Sequence, residues 1–210
     1  MNPWPFHDLV ITTPRLELRP DDDAGLLELA AEAQRGVHPP EYMPFAFPWT
    51  DASADRLATS TLQHHWRMRA ALTLDDWSLN FLVRLDGRVI GTQSVEAKDF
   101  AATREVMTGS WLGLRHQGSG LGTEMRAAVL AYAFDHLGAV QARSAAWEDN
   151  AASLAVSRKL GYRPDGTKVA VRRGEAVTEI RLLVTREQFT RPTWNPTVEG
   201  HAACAELLTA

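Results

Sequence analysis

The chain has 210 residues, of which 45% are hydrophobic, and its 22 lysines and arginines against 26 aspartates and glutamates give a formal net charge of −4. This length can bury the core of one domain, and the interspersed charges exclude the basic face that nucleic-acid binding requires. The single cysteine, Cys204, permits no intramolecular disulfide, and neither a signal peptide nor an apolar run of roughly 20 residues is evident, so we expect a cytoplasmic protein with no membrane partner.

The N-terminal segment predicts a strand followed by a helix. The strand signal runs from Leu9 to Arg19, with apolar and charged residues alternating over residues 15–19, and Pro20 ends it. The acidic run Asp21–Asp23 comes next, and aspartates at a helix start cap free N–H groups and complement the helix dipole. We therefore interpret this run as a helix start rather than a metal site, with the helix fading near Gly36.

Residues 37–50 are rich in proline and aromatic side chains and can form neither a regular helix nor a central strand. Two interpretations stay open for this segment: a lid over the core, or one wall of a substrate pocket. A long helix is predicted from Ser53 to Thr73. Its adjacent His64 and His65 point to different sides of a helix, so they cannot jointly hold a metal, and we expect no metal site.

Three strands with compact connections are predicted after this helix, at residues 78–84, 88–95 and 104–112. Asp86-Gly87 between the first two is a strong hairpin signal, because a type I′ turn needs positive φ at both positions. An antiparallel meander should result.

The rest of the chain mixes helices and strands. A helix is predicted at 123–137, a strand at 141–147, a helix at 150–160, and strands at 162–171 and 176–185. This mixed order predicts an α/β domain of the α+β mixed type. We expect one domain over residues 1–190 and a tail over residues 191–210 with a short helix.

The segment from Leu112 to Thr123 carries the clearest chemical signal. A strand leads into a loop with glycines at 118, 120 and 122, and a helix leaves it. Glycine lets backbone N–H groups approach phosphate oxygens, and the helix start adds its positive dipole end. A P-loop would need a lysine before Thr123, and a Rossmann site would need a parallel sheet. The pattern therefore predicts a diphosphate site of another kind.

Several motifs resemble one known family. Gln117-x-x-Gly120-x-Gly122 resembles the Q/R-x-x-G-x-G/A pyrophosphate motif of the GNAT N-acyltransferase superfamily. Residues 13–19, Thr-Pro-Arg-Leu-Glu-Leu-Arg, resemble the opening strand of its RimJ/RimL-like branch. Asn150-x-x-Ser153 with residues 160–162, Leu-Gly-Tyr, resembles that branch's second coenzyme A segment. Residues 43–50 and 98–100 are similar to an actinobacterial-type subgroup associated with acetyl-CoA or succinyl-CoA.

The resemblance implies a GNAT fold and an activity. The fold is a mostly antiparallel sheet of about seven strands flanked by about four helices, with the fourth and fifth strands splayed around the pantetheine arm. The activity is transfer of an acetyl or succinyl group from coenzyme A directly to a primary amine of a protein N-terminus, a lysine or a small molecule. A homodimer or higher homo-oligomer is also expected. A catalytically silent acyl-CoA-binding sensor or scaffold is the alternative.

The resemblance also assigns residues to the donor. Those implied to bind coenzyme A are Leu112, Leu114, Arg115, Gln117, Gly118, Ser119, Gly120, Leu121, Gly122, Thr123, Asn150 and Ser153. Ser157 stands where many relatives have the tyrosine that protonates the departing thiolate, and Ser153 matches a serine placed near the sulfur. Helical spacing puts Asn150, Ser153 and Ser157 on one face. Serines on a helix surface remain the alternative for both hydroxyls.

The general base has no clear candidate in the sequence. Relatives often carry an acidic residue two positions before the glycine of the fourth strand, and this chain has Met107 before Gly109. Direct transfer needs a deprotonated amine, so a carboxylate or histidine is wanted near the acceptor. Glu105 lies on the same strand face and is a weak catalytic candidate. The other candidates are Glu96, Asp99 and His116.

Overall fold

The central feature of the computed structural model, which describes residues 3–209, is a nine-stranded sheet with helices on both faces. Its strands are β1 (Val10–Thr12), β2 (Leu16–Pro20), β3 (Asp76–Leu85), β4 (Arg88–Lys98), β5 (Glu105–Leu112), β6 (Gln141–Trp147), β7 (Arg163–Arg172), β8 (Glu175–Thr185) and β9 (Thr197–Glu199). They lie in the order β7-β8-β6-β5-β4-β3-β2-β1-β9. Neighbours are antiparallel except for β5 and β6, which run parallel. The predicted mixed α/β class with a mostly antiparallel sheet is confirmed.

The helices cover the two faces of the sheet unequally. They are α1 (Asp23–Gln34), α2 (Ala54–Ala71), α3 (Phe100–Thr103), α4 (Leu121–Tyr132), α5 (Ala151–Lys159) and α6 (His201–Thr209). The pair α1 and α2 packs on one face, and α4 packs on the other with α5 beside it. The carboxylate of Asp22 accepts the Gly25 N–H and caps α1, as the acidic run predicted. Within residues 3–209 no helix is long and apolar enough to cross a membrane.

Two short strands account for the difference between seven predicted strands and nine observed ones. The predicted first strand is broken at Thr13 because Pro14 makes a tight turn there, in which the Thr13 N–H donates to Leu16 O at 2.9 Å. The two halves, β1 and β2, pair with each other as a hairpin. The second addition is β9, which lies in the predicted tail and pairs with β1 at the edge of the sheet.

The tail belongs to the same packed body as the rest of the chain. Cys204 and Leu208 of α6 are fully buried in the main core, together with Phe6 and Leu9 from the start of the chain. That core fills the space between the sheet and α4, which is buried on nearly every side. A smaller cluster under α1 covers the other face.

Candidate active site

A gap opens in the middle of the sheet between β5 and β6. The two strands pair only at Glu105–Gln141, Val106–Ala142 and Met107–Arg143, and then diverge. Just beyond, the Ser144 hydroxyl donates to Thr108 O at 3.3 Å, at the point where the strands separate. We call the gap beyond this point the seam. Along it no strand pairs with this edge of β5. Side chains bond the backbone of Gly109 and the carbonyl oxygens of Thr108 and Leu112, and the rest of the edge is open to a ligand. β5 and β6 are the fourth and fifth of the predicted strands, because the predicted first strand is divided into β1 and β2. The predicted splay of these two strands is thus present.

The glycine loop, residues 117–122, presents backbone donors at one end of the seam. Gly118 and Gly120 adopt left-handed conformations, with φ of 77° and 84°. The first bonds of α4 run from Thr123 and Glu124 to Gly120 O, and the N–H groups of residues 118–122 have no backbone acceptor within residues 3–209. Unpaired N–H groups at a helix start form an anion site. The loop has the geometry that a diphosphate requires.

A buried carboxylate at the start of α4 ties the loop to the N-terminal hairpin. Glu124 accepts hydrogen bonds from Thr13 Oγ1 at 2.7 Å and from Arg15 N and Nε at 3.0 and 2.6 Å. Arg15 also donates to Ser119 O at 3.1 Å. Sequence analysis missed Glu124, although an acidic residue in the first turn of a helix is a recognisable signal. The hairpin motif therefore supports the loop directly.

A second buried carboxylate holds the other side of the loop. Glu32 of α1 accepts hydrogen bonds from Arg115 Nε and Nη2 at 3.1 and 2.6 Å and from Arg35 Nη1 at 3.0 Å. Gln117 donates through its side chain to Val37 O at 2.7 Å and Leu112 O at 2.8 Å. Two of the side chains predicted to bind coenzyme A thus make internal contacts that fix the loop.

The other residues predicted to bind the donor lie along the loop and the seam. Leu112 and Leu121 are buried, Leu114 is exposed, and the Ser119 hydroxyl donates to His116 O at 3.1 Å. Asn150 is the N-cap of α5, and its side-chain oxygen accepts the Ser153 N–H at 3.1 Å. The amide nitrogen of Asn150 has no partner in the described part of the chain. It is therefore a donor that a ligand can use.

Ser157 has a partner that sequence analysis missed. Ser157 is almost fully buried, and its hydroxyl accepts a hydrogen bond from Arg126 Nη1 at 3.0 Å. Arg126 Nη2 also donates to Ser110 Oγ at 3.2 Å, and Arg126 Nε is buried with no partner in the described residues. Burial lowers the pKa of this guanidinium. An arginine on the otherwise apolar face of α4 was a visible signal in the sequence.

On the face of the sheet that carries α2, a cavity of about 710 Å³ reaches the edge of β5. Residues 45–49 form one wall of this cavity, α2 forms another, and the sheet forms the floor. The floor includes Ser94, Glu96, Gly109 and Ser110. Of the two interpretations of the proline-rich segment, the pocket wall is the one that the structure supports.

Two arginines at the tip of the β7–β8 hairpin anchor this segment. Arg172 makes two hydrogen bonds to Asp149, at 2.8 and 2.7 Å, and lies over the rings of Tyr42 and Trp147. Arg173 pairs with Asp51 at 2.5 Å. Burial, followed by the Asp149 charge, raises the pKa of Tyr42 to about 12, so the phenol stays protonated at neutral pH. The cavity wall is thereby held by ion pairs and stacking contacts.

Glu96 and His64 are ionisable side chains that line the cavity. Glu96 accepts the Ser94 hydroxyl at 2.7 Å and lies directly opposite Met107 in the register of β4 and β5. Partial burial, followed by the charges of His65 and Arg67, lowers the pKa of His64. His65 is buried beneath it and pairs with Asp21 at 2.7 Å.

The remaining candidate bases lie outside the cavity lining. Glu105 accepts hydrogen bonds from Gln141 Nε2 at 2.6 Å and Arg143 Nε at 2.7 Å. Asp99 precedes α3, and His116 lies beside Glu32 at 3.5 Å. Glu105 is therefore an ion-pair residue at the closed end of the seam, and its catalytic role stays a prediction. Within residues 3–209, no three histidine, cysteine or acidic side chains form a group suited to a metal ion.

Comparison with known proteins gives both a family and a set of similar folds. The acetyltransferase (GNAT) domain family matches residues 15–163, which is more than half of the chain. RimJ from Mycobacterium smegmatis, solved with CoA-disulfide, has a TM-score of 0.71 at 19% identity and covers 95% of this chain and 94% of its own. RimL, a ribosomal L7/L12 alpha-N-protein acetyltransferase solved with coenzyme A, has 0.66 at 15%, covering 84% and 97%.

A GNAT-family acetyltransferase from Bacillus anthracis has a TM-score of 0.63 at 18% identity, covering 85% of this chain and 99% of its own. At such identities the structural likeness shows a shared fold, and the family match carries the assignment. The chain belongs to the GNAT acetyltransferases and is an acyl-CoA-dependent N-acyltransferase.

Proposed function

We propose that this enzyme transfers an acetyl group from acetyl-CoA to a primary amine bound in the 710 Å³ cavity, with Glu96 as the general base. The observation that carries the proposal is the continuity between the two sites. Gly109 and Ser110 belong to the edge of β5 along the seam, and both also line the cavity. A thioester at the seam and an amine in the cavity therefore meet at this edge.

The donor side of the site follows from the free backbone groups. The glycine loop supplies N–H donors for the diphosphate, and the edge of β5 supplies backbone partners for the amides of the pantetheine arm. The side-chain amide of Asn150 adds a donor at the start of α5. RimJ and RimL, with the same fold, were solved with coenzyme A derivatives, which supports this placement.

The acceptor side follows from the position of Glu96. The chain has Met107 where many relatives have an acidic residue, and Glu96 on β4 is the direct cross-strand partner of Met107. Side chains paired in this way lie on one face of the sheet with Cβ atoms about 4.5–5.5 Å apart. A carboxylate is thus supplied from the neighbouring strand to the same region. It can take the amine proton directly or through a water molecule.

The test is acyl transfer with a matched pair of carboxylate variants. Release of free coenzyme A is measured with acetyl-CoA and with succinyl-CoA against peptides with free N-termini, lysine peptides and small amines. Glu96→Gln should lower kcat by about 10²–10⁴ while leaving donor affinity unchanged, as expected for loss of a general base. Glu105→Gln should keep the wild-type rate, because Glu105 is paired with Arg143 outside the cavity.

Three outcomes would contradict this proposal. Donor binding without transfer to any amine would identify an acyl-CoA-binding module instead. If kcat falls in Glu105→Gln and stays at the wild-type value in Glu96→Gln, the general base is Glu105 and not Glu96. A preference for succinyl-CoA over acetyl-CoA would replace the proposed donor.

A further inference from the structure

Arg126 is a buried cation that lacks a counterion among the described residues. Its side chain lies on α4 with the residue only 5% exposed, and it donates hydrogen bonds to the two neutral hydroxyls of Ser157 and Ser110. Within residues 3–209, no carboxylate lies within ion-pair distance of it, and Nε has no partner at all. By contrast, the half-buried Arg172 and the exposed Arg15, both near the site, each pair with a carboxylate.

Such an arrangement is unfavourable unless an anion completes it. A guanidinium stays protonated even when buried, and removing it from water without a counterion costs several kcal/mol. Burial lowers the pKa of Arg126, in the direction expected for an uncompensated charge. Clusters of this kind are typical of functional sites, where the energy lost in folding is recovered when a charged group binds.

The position of Arg126 indicates that the anion would lie in the seam. One partner, Ser110, lies on the edge of β5 beyond the last residue paired with β6, and it also lines the cavity. The other partner, Ser157, lies on α5, whose first turn carries Asn150 and Ser153. The guanidinium therefore lies next to the seam on the face of the sheet that carries α4, whereas Glu96 lies on the face that carries α2.

The transfer reaction leaves a negative charge on the sulfur of the donor. The amine nitrogen attacks the thioester carbonyl and forms the C–N bond, the carbonyl π electrons move to oxygen, and the amine proton passes to the carboxylate of Glu96. The C=O bond then re-forms as the C–S bond breaks, and the electron pair of the C–S bond leaves with sulfur as the thiolate. The thiolate takes a proton from solvent when coenzyme A departs, and Glu96 returns its proton to solvent.

We propose that Arg126 is the positive charge that stabilises the coenzyme A thiolate, with Ser110 and Ser157 as the hydroxyls that hold the guanidinium behind the sulfur. This inference rests on the proposed function. Preorganised charge in a site shielded from water stabilises a developing anion more strongly than water does. In this arrangement the thiolate leaves without prior protonation, so the missing tyrosine at position 157 does not stop the reaction.

Coenzyme A itself, without an acyl group, tests the inference. The wild-type enzyme is titrated with coenzyme A, and the thiolate is followed by its ultraviolet absorbance as the pH rises. The bound thiol should ionise at least one pH unit below free coenzyme A. At a pH between the bound and the free pKa of the thiol, calorimetry in two buffers of different ionisation enthalpy should show proton release on binding. Desulfo-coenzyme A, which has no thiol, should release no proton, and at a pH above the free pKa it should bind about tenfold more weakly than coenzyme A, since one pKa unit then corresponds to tenfold in affinity.

Variants then assign the effect to Arg126. Arg126→Gln should remove the pKa shift and the proton release while leaving the affinity for desulfo-coenzyme A unchanged, and Arg126→Lys should restore part of the shift. The wild-type titration needs no variant, so an unshifted thiol would overturn the inference even if Arg126→Gln fails to fold, and Arg126→Lys, which keeps the charge, provides the second variant.

Two results would overturn the inference: a bound thiol that titrates at the pH of free coenzyme A, or a loss of affinity in Arg126→Gln that is the same for coenzyme A and desulfo-coenzyme A. Because the probe carries no acyl group, its result is independent of whether any amine is acylated.

Discussion

Replacing Gly113 by alanine tests how the glycine loop is held in place. A Cβ at this position would lie 2.0 Å from Oε1 of Glu32, 2.8 Å from its Cδ and 3.0 Å from its Cγ. Since three atoms of the Glu32 side chain are too close, moving the carboxylate alone is not enough. The side chain has to leave its place beside Arg115.

The hydrogen bonds between Glu32 and Arg115 determine how large the effect should be. The Glu32 carboxylate is 1% exposed and accepts two hydrogen bonds from Arg115, at 3.1 and 2.6 Å. Hydrogen bonds to charged groups contribute about 1.5–3 kcal/mol each, although the Arg115 side chain is 56% exposed and regains some hydration. We expect Gly113→Ala to lower the free energy of unfolding by about 2–4 kcal/mol. Because residue 113 leads directly into the glycine loop, affinity for coenzyme A should fall about tenfold, or about 1.4 kcal/mol.

A double-mutant cycle with Glu32→Ala checks this reasoning. Gly113 has an ordinary φ of −50°, so alanine itself fits the backbone, and in the Glu32→Ala background the clash disappears. Gly113→Ala should then cost less than about 0.5 kcal/mol. Urea unfolding measures the stabilities, and calorimetry measures coenzyme A binding. An equal destabilisation in both backgrounds would refute the reasoning, because the cause would then be the backbone rather than Glu32.

Two further perturbations test the cavity wall and the tail. Arg172→Ala breaks the pair with Asp149 and should raise the KM for the acceptor roughly fivefold to tenfold without changing donor affinity. The control Lys168→Ala, on the same strand, should leave this KM unchanged. Initial-rate kinetics with varied acceptor concentration measures both. Burial and the nearby His136 lower the pKa of His201, so the unfolded chain binds more protons than the folded chain below the ordinary pKa of about 6.5. Thermal stability should therefore fall as pH falls from about 7 to 5, and a slope unchanged in His201→Gln would exclude this histidine as the cause.

The elements with strong local signals could be predicted from the sequence. Asp86 and Gly87 adopt the positive φ angles, 50° and 77°, that the predicted turn requires. The predicted helix at 123–137 is present, but its last turn, Ala133–Leu137, is a π-helix. The strand at 197–199 was missed because three residues give no periodic pattern. Its existence depends on pairing with β1, almost 190 residues earlier in the chain.

The site, like the fold, has parts that could be predicted from the sequence and parts that could not. The glycine loop could be located because its residues are contiguous, whereas its supports could not, because Glu124 and Thr13 are 111 residues apart. Strand alternation alone did not distinguish Glu96 from Glu105. Only the register between β4 and β5 places Glu96 opposite Met107. The specific roles of Ser153, Ser157 and Asn150 remain predictions.

The seam gives the substrate a structural role as well as a chemical one. Six strands, from β9 to β5, and three strands, from β6 to β7, meet across only three residue pairs, so the sheet has an edge in its interior. Proteins usually cover or shorten such an edge. A pantetheine arm bonded along β5 would act there as a guest strand and join the two parts into one continuous sheet. Donor binding would then also complete the sheet. It would stabilise the folded enzyme and hold the two parts of the sheet, and the reactants between them, in a fixed relative position.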